Sequence, residues 1–111
     1  MKILITENQL RRVQFKYLDY LFEGIHEVKS KNHPDSRFWK KNDKVVLELE
    51  EYGRIWVLYS IWNNISDMFL LTYDETQQLI KEWVEPHLKL ERIKPFAHYE
   101  NNYYLVEQRL K

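Results

Sequence analysis

The chain reads as an α+β domain, an antiparallel sheet of three to five strands with two helices packed on one face. Three observations lead there. Two segments, Glu7 to Glu23 and Tyr73 to about Glu85, combine helical apolar spacing with a capping signal. Between them, apolar and polar residues alternate about a tight Glu51-Tyr52-Gly53 turn. A length of 111 residues suits one hydrophobic core, so residues 1–111 form a single domain.

The first helix opens on Thr6, whose hydroxyl and the Gln9 carboxamide three residues on can serve each other's backbone amides. Leu10, Val13, Tyr17 and Leu21 follow helical spacing, and Gly24 supplies a left-handed stop. A second apolar stripe, Phe15, Leu18 and Phe22, lies further round the cylinder. Two stripes exceed what one sheet face requires: either the helix is sunk deep in the core, or this second stripe meets a partner or a second copy, and it is taken as the expected interaction surface, exposed in the monomer. His33-Pro34-Asp35-Ser36 is a turn signal, and Phe38-Trp39 marks a short strand. Val45, Leu47 and Leu49 point inward from a half-buried strand, with Glu48 and Glu50 on its solvent face. The return strand, Arg54 to Trp62, is apolar on both faces and therefore central. Asn63-Asn64 turns the chain, and Met68 to Leu71 reads as a further strand. Thr72 with Glu75 repeats the capping box, Thr76, Leu79, Ile80, Trp83 and Val84 form a single stripe, and Pro86 ends the helix. Leu88 to Glu91 alternates, and Phe96–Tyr99 precedes a terminal segment from Tyr103 that fits either strand or helix.

Composition narrows the functional classes. The 17 basic and 17 acidic residues cancel, which counts against a dedicated polyanion binder and favours self-association. The absence of cysteine removes disulfides, thiolate metal sites and a thiol nucleophile. Two glycines in all leave no phosphate-cradling loop. Ile3-Leu4-Ile5 is too short for a leader or a membrane span, so a cytoplasmic protein without membrane contact is expected.

Several short motifs carry chemistry in other settings. His33-Pro34-Asp35, with Lys29 and Lys31 upstream, resembles the HPD loop of J-domain cochaperones, which implies contact with an Hsp70 partner. Pro34-Asp35 followed by Glu48-Leu49-Glu50 is similar to the PD-(D/E)xK nuclease pattern, with Glu50 standing where Lys is usual. That resemblance implies Asp35, Glu48 and Glu50 as catalytic ligands of a divalent metal, with Asp43 a substitute for Asp35. His26, His33, His87 and His98 lack the spacing of a zinc site, so no metal or other cofactor is expected. Arg37, Trp39, Lys40 and Lys41 form the one segment where bases would stack between cations, the nucleic-acid candidate. Lys2 to Leu10 and Lys81 to His87 resemble segments of small uncharacterised bacteriophage and marine microbial proteins. That likeness implies a phage or host origin and transfers no activity. The expectation is therefore a non-enzymatic module acting on a protein partner or a second copy. The alternatives are a small metal-dependent nuclease and a single-strand nucleic-acid binder.

Overall fold

The computed structural model describes residues 6–31 and 33–98. Three helices pack on one face of a five-stranded sheet whose strands lie in chain order. The elements are α1 (Glu7–Leu21), β1 (His26–Val28), β2 (Arg37–Lys41), β3 (Lys44–Leu49), β4 (Arg54–Leu58), α2 (Tyr59–Phe69), α3 (Tyr73–Leu88) and β5 (Lys94–His98). No described helix is long and apolar enough to cross a membrane. The alternatives for the segment from Tyr103 lie outside the described residues.

Both capping boxes form. Thr6 accepts from the Gln9 backbone amide while the Gln9 side chain accepts from Thr6, and Thr72 with Glu75 does the same for α3. Gly24 and Gly53 both adopt positive φ, as their turns require.

The sheet is mixed. β1 to β4 run antiparallel, whereas β5 joins β4 in parallel after the long crossover through α2 and α3. The outer edge of β5 is covered by α3 side chains: Gln77 Nε2 donates to the Pro95 carbonyl at 2.6 Å, and the Tyr73 hydroxyl accepts from the Ala97 amide at 3.3 Å. Pro95 lacks an amide hydrogen, which further blunts the edge.

The expectation of a strand running to Trp62, a turn at Asn63-Asn64 and a strand at Met68–Leu71 is overturned. The strand stops at Leu58 and Tyr59–Phe69 is helical, which makes three helices instead of two. Ile61, Trp62 and Ile65 then share one buried face, with Phe69 packed against the same core. The third helix also outruns Pro86, which sits in its last turn where the missing amide removes a single backbone bond. Lys89 closes it in a left-handed conformation, and the Leu90 amide reaches back to the Glu85 carbonyl.

The core joins Leu18 and Leu21 of α1, Phe22 at its C-cap, and Ile61, Trp62 and Ile65 of α2 to Leu79, Ile80, Trp83 and Val84 of α3. These meet Trp39, Val46, Leu47, Ile55, Val57 and Ala97 on the sheet. A bulge adjusts β3. Trp39 pairs with Leu47 and Lys40 with Val45, so Val46 is the extra residue. Val46 and Leu47 thus both enter this core, while Val45 turns to the opposite face beside Phe38 and Val28. The face expected to be solvated is covered there: Glu48 is 2% exposed, and Phe38 and Val45 are buried.

Candidate functional site

Helix α1 is divided by its neighbours into a buried centre, a flank on α3, a flank on α2 and an outward face. Gln14, Leu18 and Leu21 form the buried centre. On the α3 side, Arg11 pairs with Glu82 at 3.1 Å, and the Trp83 indole donates to Asp19 Oδ1 at 2.8 Å. The Trp83 ring is stacked between Phe22, with centroids 4.9 Å apart, and His87, at 4.1 Å. His87 sets Nδ1 2.6 Å from the Trp83 carbonyl and Nε2 3.6 Å from Asp19 Oδ1. On the α2 side, Tyr17 meets Phe69 edge-on at 5.7 Å and stacks on Tyr20 at 6.4 Å.

What remains faces solvent and is apolar. Val13 is 52% and Tyr20 66% exposed, and Leu10 is exposed beside them. Seven residues at 100° each return to within about 20° of the starting direction, so Val13 and Tyr20 lie on one line and Leu10 and Tyr17 on the adjoining one. The end of α2 adds Met68 and Leu70, which flank Phe69 in the chain. Leu70 is 90% exposed and holds the left-handed cap of α2, with the Leu71 amide donating to the Ser66 carbonyl. Five of the seven large apolar residues exposed among the described residues belong to this α1–α2 surface.

The expected interaction stripe lies elsewhere. Leu18 is 0% exposed, Phe22 is in the core against Trp83, and Phe15 packs half-buried against the core. The reason is rotational: the inward face of α1 falls between the two stripes, so Leu18 and Leu21 bury together while Val13 is left outside. Of the exposed residues, Leu10 and Val13 belong to the first stripe and Tyr20 to neither, and spacing alone does not tell which side of the helix meets the sheet.

The acidic residues do not gather into a metal centre. Asp35 is exposed in the turn before β2, where the Ser36 amide donates to the His33 carbonyl at 3.1 Å. Glu48 is buried opposite Phe38 and Trp56. Glu50 accepts the Trp56 indole at 2.6 Å and pairs with Arg54 at 2.8 Å, which engages both carboxylate oxygens. Among the described residues no three His, Cys, Asp or Glu side chains come together closely enough to hold a metal ion. His33-Pro34-Asp35 is framed by β1 and β2, not by the helix pair of a J-domain.

The basic segment is committed to the fold. Trp39 is a core residue, so its faces are closed to a base. Arg37 forms a two-pronged pair with Glu27 at 2.8 Å and lies 5.0 Å over the Trp39 ring. That pair holds the Glu27 carboxyl below its usual range, chiefly through the Arg37 hydrogen bonds, with partial burial opposing and the Arg37 charge assisting. Lys41 donates to the Leu21 carbonyl at 2.9 Å and lies 3.4 Å from that of Tyr20, so it caps the end of α1. Lys40 is half-buried on the opposite face from Trp39.

Comparison with protein-family models, curated protein sequences and solved structures gives no match to this chain. The functional reading therefore rests on the geometry of the chain itself.

Proposed function

We propose that the chain is a non-enzymatic self-assembling module whose α1 packs antiparallel against α1 of a second copy. The observation that carries this is the solvent-facing line of Val13 and Tyr20, widened by Leu10 and the Met68–Leu70 end of α2. A two-fold pairing is self-complementary, so a residue i that meets j is matched by j meeting i. Centred between Lys16 and Tyr17, the antiparallel arrangement lays Val13 of each copy on Tyr20 of the other. Arg12 and Lys16 are exposed on one flank of this line, and Glu23 is exposed in the turn just past the helix end. A two-fold axis across the helices brings that flank against its own copy, so Arg12 falls beside the opposing Glu23. A parallel pair would instead set this flank against the opposite one of its copy and part Arg12 from Glu23; in the antiparallel pair the one like contact is Lys16, which falls beside its own copy at the axis. The zero net charge of the chain adds no general repulsion.

Cross-linking tests the arrangement, because the chain has no cysteine to interfere. Arg12→Cys and Glu23→Cys proteins, mixed and oxidised, are expected to couple to each other faster than either couples to itself. Coupling no faster than that of a distant control, Glu51→Cys, would refute the pairing. Faster self-coupling of each variant would refute its antiparallel direction.

A further inference from the structure

A second feature lies on the far side of α3. A groove of about 450 Å³ runs between that helix and the segment entering β5, lined by Gln77, Gln78, Lys81, Arg92, Ile93, Lys94 and Pro95. Three of these residues are cationic and none is acidic. Arg11, Arg37 and Arg54 are each paired with a glutamate, and Lys41 is held by carbonyl oxygens. Among the described residues Lys81, Arg92 and Lys94 form no ion pair, and Lys94 Nζ lies 5.6 Å from the centroid of the Phe96 ring. An adjoining depression of about 390 Å³ shares Lys81 and Arg92 and adds Glu85, Leu90 and Glu91.

The segment carrying Arg92 is held in a conformation that side chains seldom adopt. Arg92 has φ 56°, a left-handed value that costs about 1 kcal/mol or more away from glycine. Its neighbours fix it from both sides. The Ile93 amide donates to Glu85 Oε2 at 3.2 Å, the Lys94 amide to the Gly53 carbonyl at 2.9 Å, and Gln77 Nε2 to the Pro95 carbonyl. Gly53 itself admits the close approach, since a side-chain carbon there would stand 3.1 Å from the Arg92 carbonyl oxygen. The cations are thus presented on a pre-set loop, which lowers the ordering cost of binding.

We propose that this groove binds a phosphate monoester of a hydroxyl-bearing small molecule, a sugar phosphate in chemical class. Lys81, Arg92 and Lys94 meet the dianionic phosphate, for which an arginine fork and ammonium groups are the suited donors. Glu85 and Glu91 next to them accept from hydroxyl groups on the body of the ligand. The same two carboxylates oppose a second phosphate, which disfavours a nucleic-acid strand threading both depressions. The volume falls in the range of small-molecule sites, roughly 300–1,000 Å³.

The test is a titration of the whole chain, followed by backbone amide NMR, with inorganic phosphate, ribose 5-phosphate and a single-stranded oligonucleotide. Saturable shifts at Gln77, Gln78 and Ile93 are expected with phosphate, and about tenfold tighter binding with ribose 5-phosphate, the equivalent of about one added hydrogen-bonded contact. Lys81→Ala and Arg92→Ala should each weaken binding about tenfold while leaving the melting temperature near that of the parent, and Lys81→Arg should restore it. Four results would each overturn the proposal: no saturation with either phosphate, equal binding by the alanine variants, equal shifts from chloride, or an oligonucleotide that binds the same residues more tightly than ribose 5-phosphate.

Discussion

Leu18→Ala, read against Val13→Ala, separates the buried face of α1 from the face assigned to assembly. Leu18 has no exposed surface and sits in a core shared by all three helices and the sheet. Its truncation removes three carbon atoms from a site bounded by regular elements, which leave little freedom to collapse. Fully buried leucine truncations cost roughly 2–5 kcal/mol, and about 3 kcal/mol is expected here. For a chain of this size that lowers the melting temperature by about 12 °C, at roughly 4 °C per kcal/mol. Val13, half-exposed, should cost no more than about 0.5 kcal/mol under dilute conditions. Urea unfolding followed by fluorescence suits the measurement, because Trp39, Trp62 and Trp83 are all buried and report loss of the core. A Leu18→Ala cost below about 1 kcal/mol, or equal costs for the two variants, would refute the assigned rotation of α1.

Four further outcomes follow from local geometry. Thr72→Ala should destabilise by about 1 kcal/mol in chemical denaturation through loss of the α3 cap, and Thr72→Ser by much less. Gly53→Ala should cost more than Gly24→Ala in thermal melts: both hold positive φ, but only Gly53 has a backbone oxygen in the way. The Glu27 carboxyl is depressed in the folded state, so its contribution is full above the ordinary glutamate value of about 4.3 and is lost as pH falls through the lower folded value. Both partners are partly solvent-screened, so this amounts to less than about 1 kcal/mol; Glu27→Gln should flatten the acid limb of a stability–pH curve, and an unchanged limb would remove the pair from the account. Trp83→Phe should destabilise by about 2 kcal/mol or more, since the indole bond to Asp19 is lost and the smaller ring leaves a gap in the core, as urea unfolding would show.

The legible parts of the chain were those with local signals. Thr6 with Gln9 and Thr72 with Glu75 announce α1 and α3, and the alternation through Leu47 and Leu49 with Gly53 announces the central hairpin. The middle helix had no such punctuation. Its start at Leu58 has no side-chain cap, and its end at Leu70 takes a left-handed conformation without glycine. Between them, Ile61, Trp62 and Ile65 are residue types that favour strands, although their spacing is helical. The parallel placement of β5 was equally hidden, because pairing across a crossover leaves no mark on the strand itself. The site followed the same division. An excess of apolar residues on α1 was visible, but which of them face outward depends on Trp83 and Phe69 from elements distant in sequence. The bulge that turns Val45 away from Leu47 likewise depends on the pairing with β2, and so the burial of the face carrying Glu48 was not foreseen.

The central claim is that the outward face of α1 joins two copies of the chain. Solution mass by light scattering over a concentration series at neutral pH tests it most directly, with the Val13→Asp, Tyr20→Ser double variant alongside. The account predicts a reversible rise from one chain to two in the parent, and a single chain throughout in the variant with an unchanged fold. A parent protein that stays at the mass of one chain at every concentration, or a variant that dimerises equally well, would contradict it.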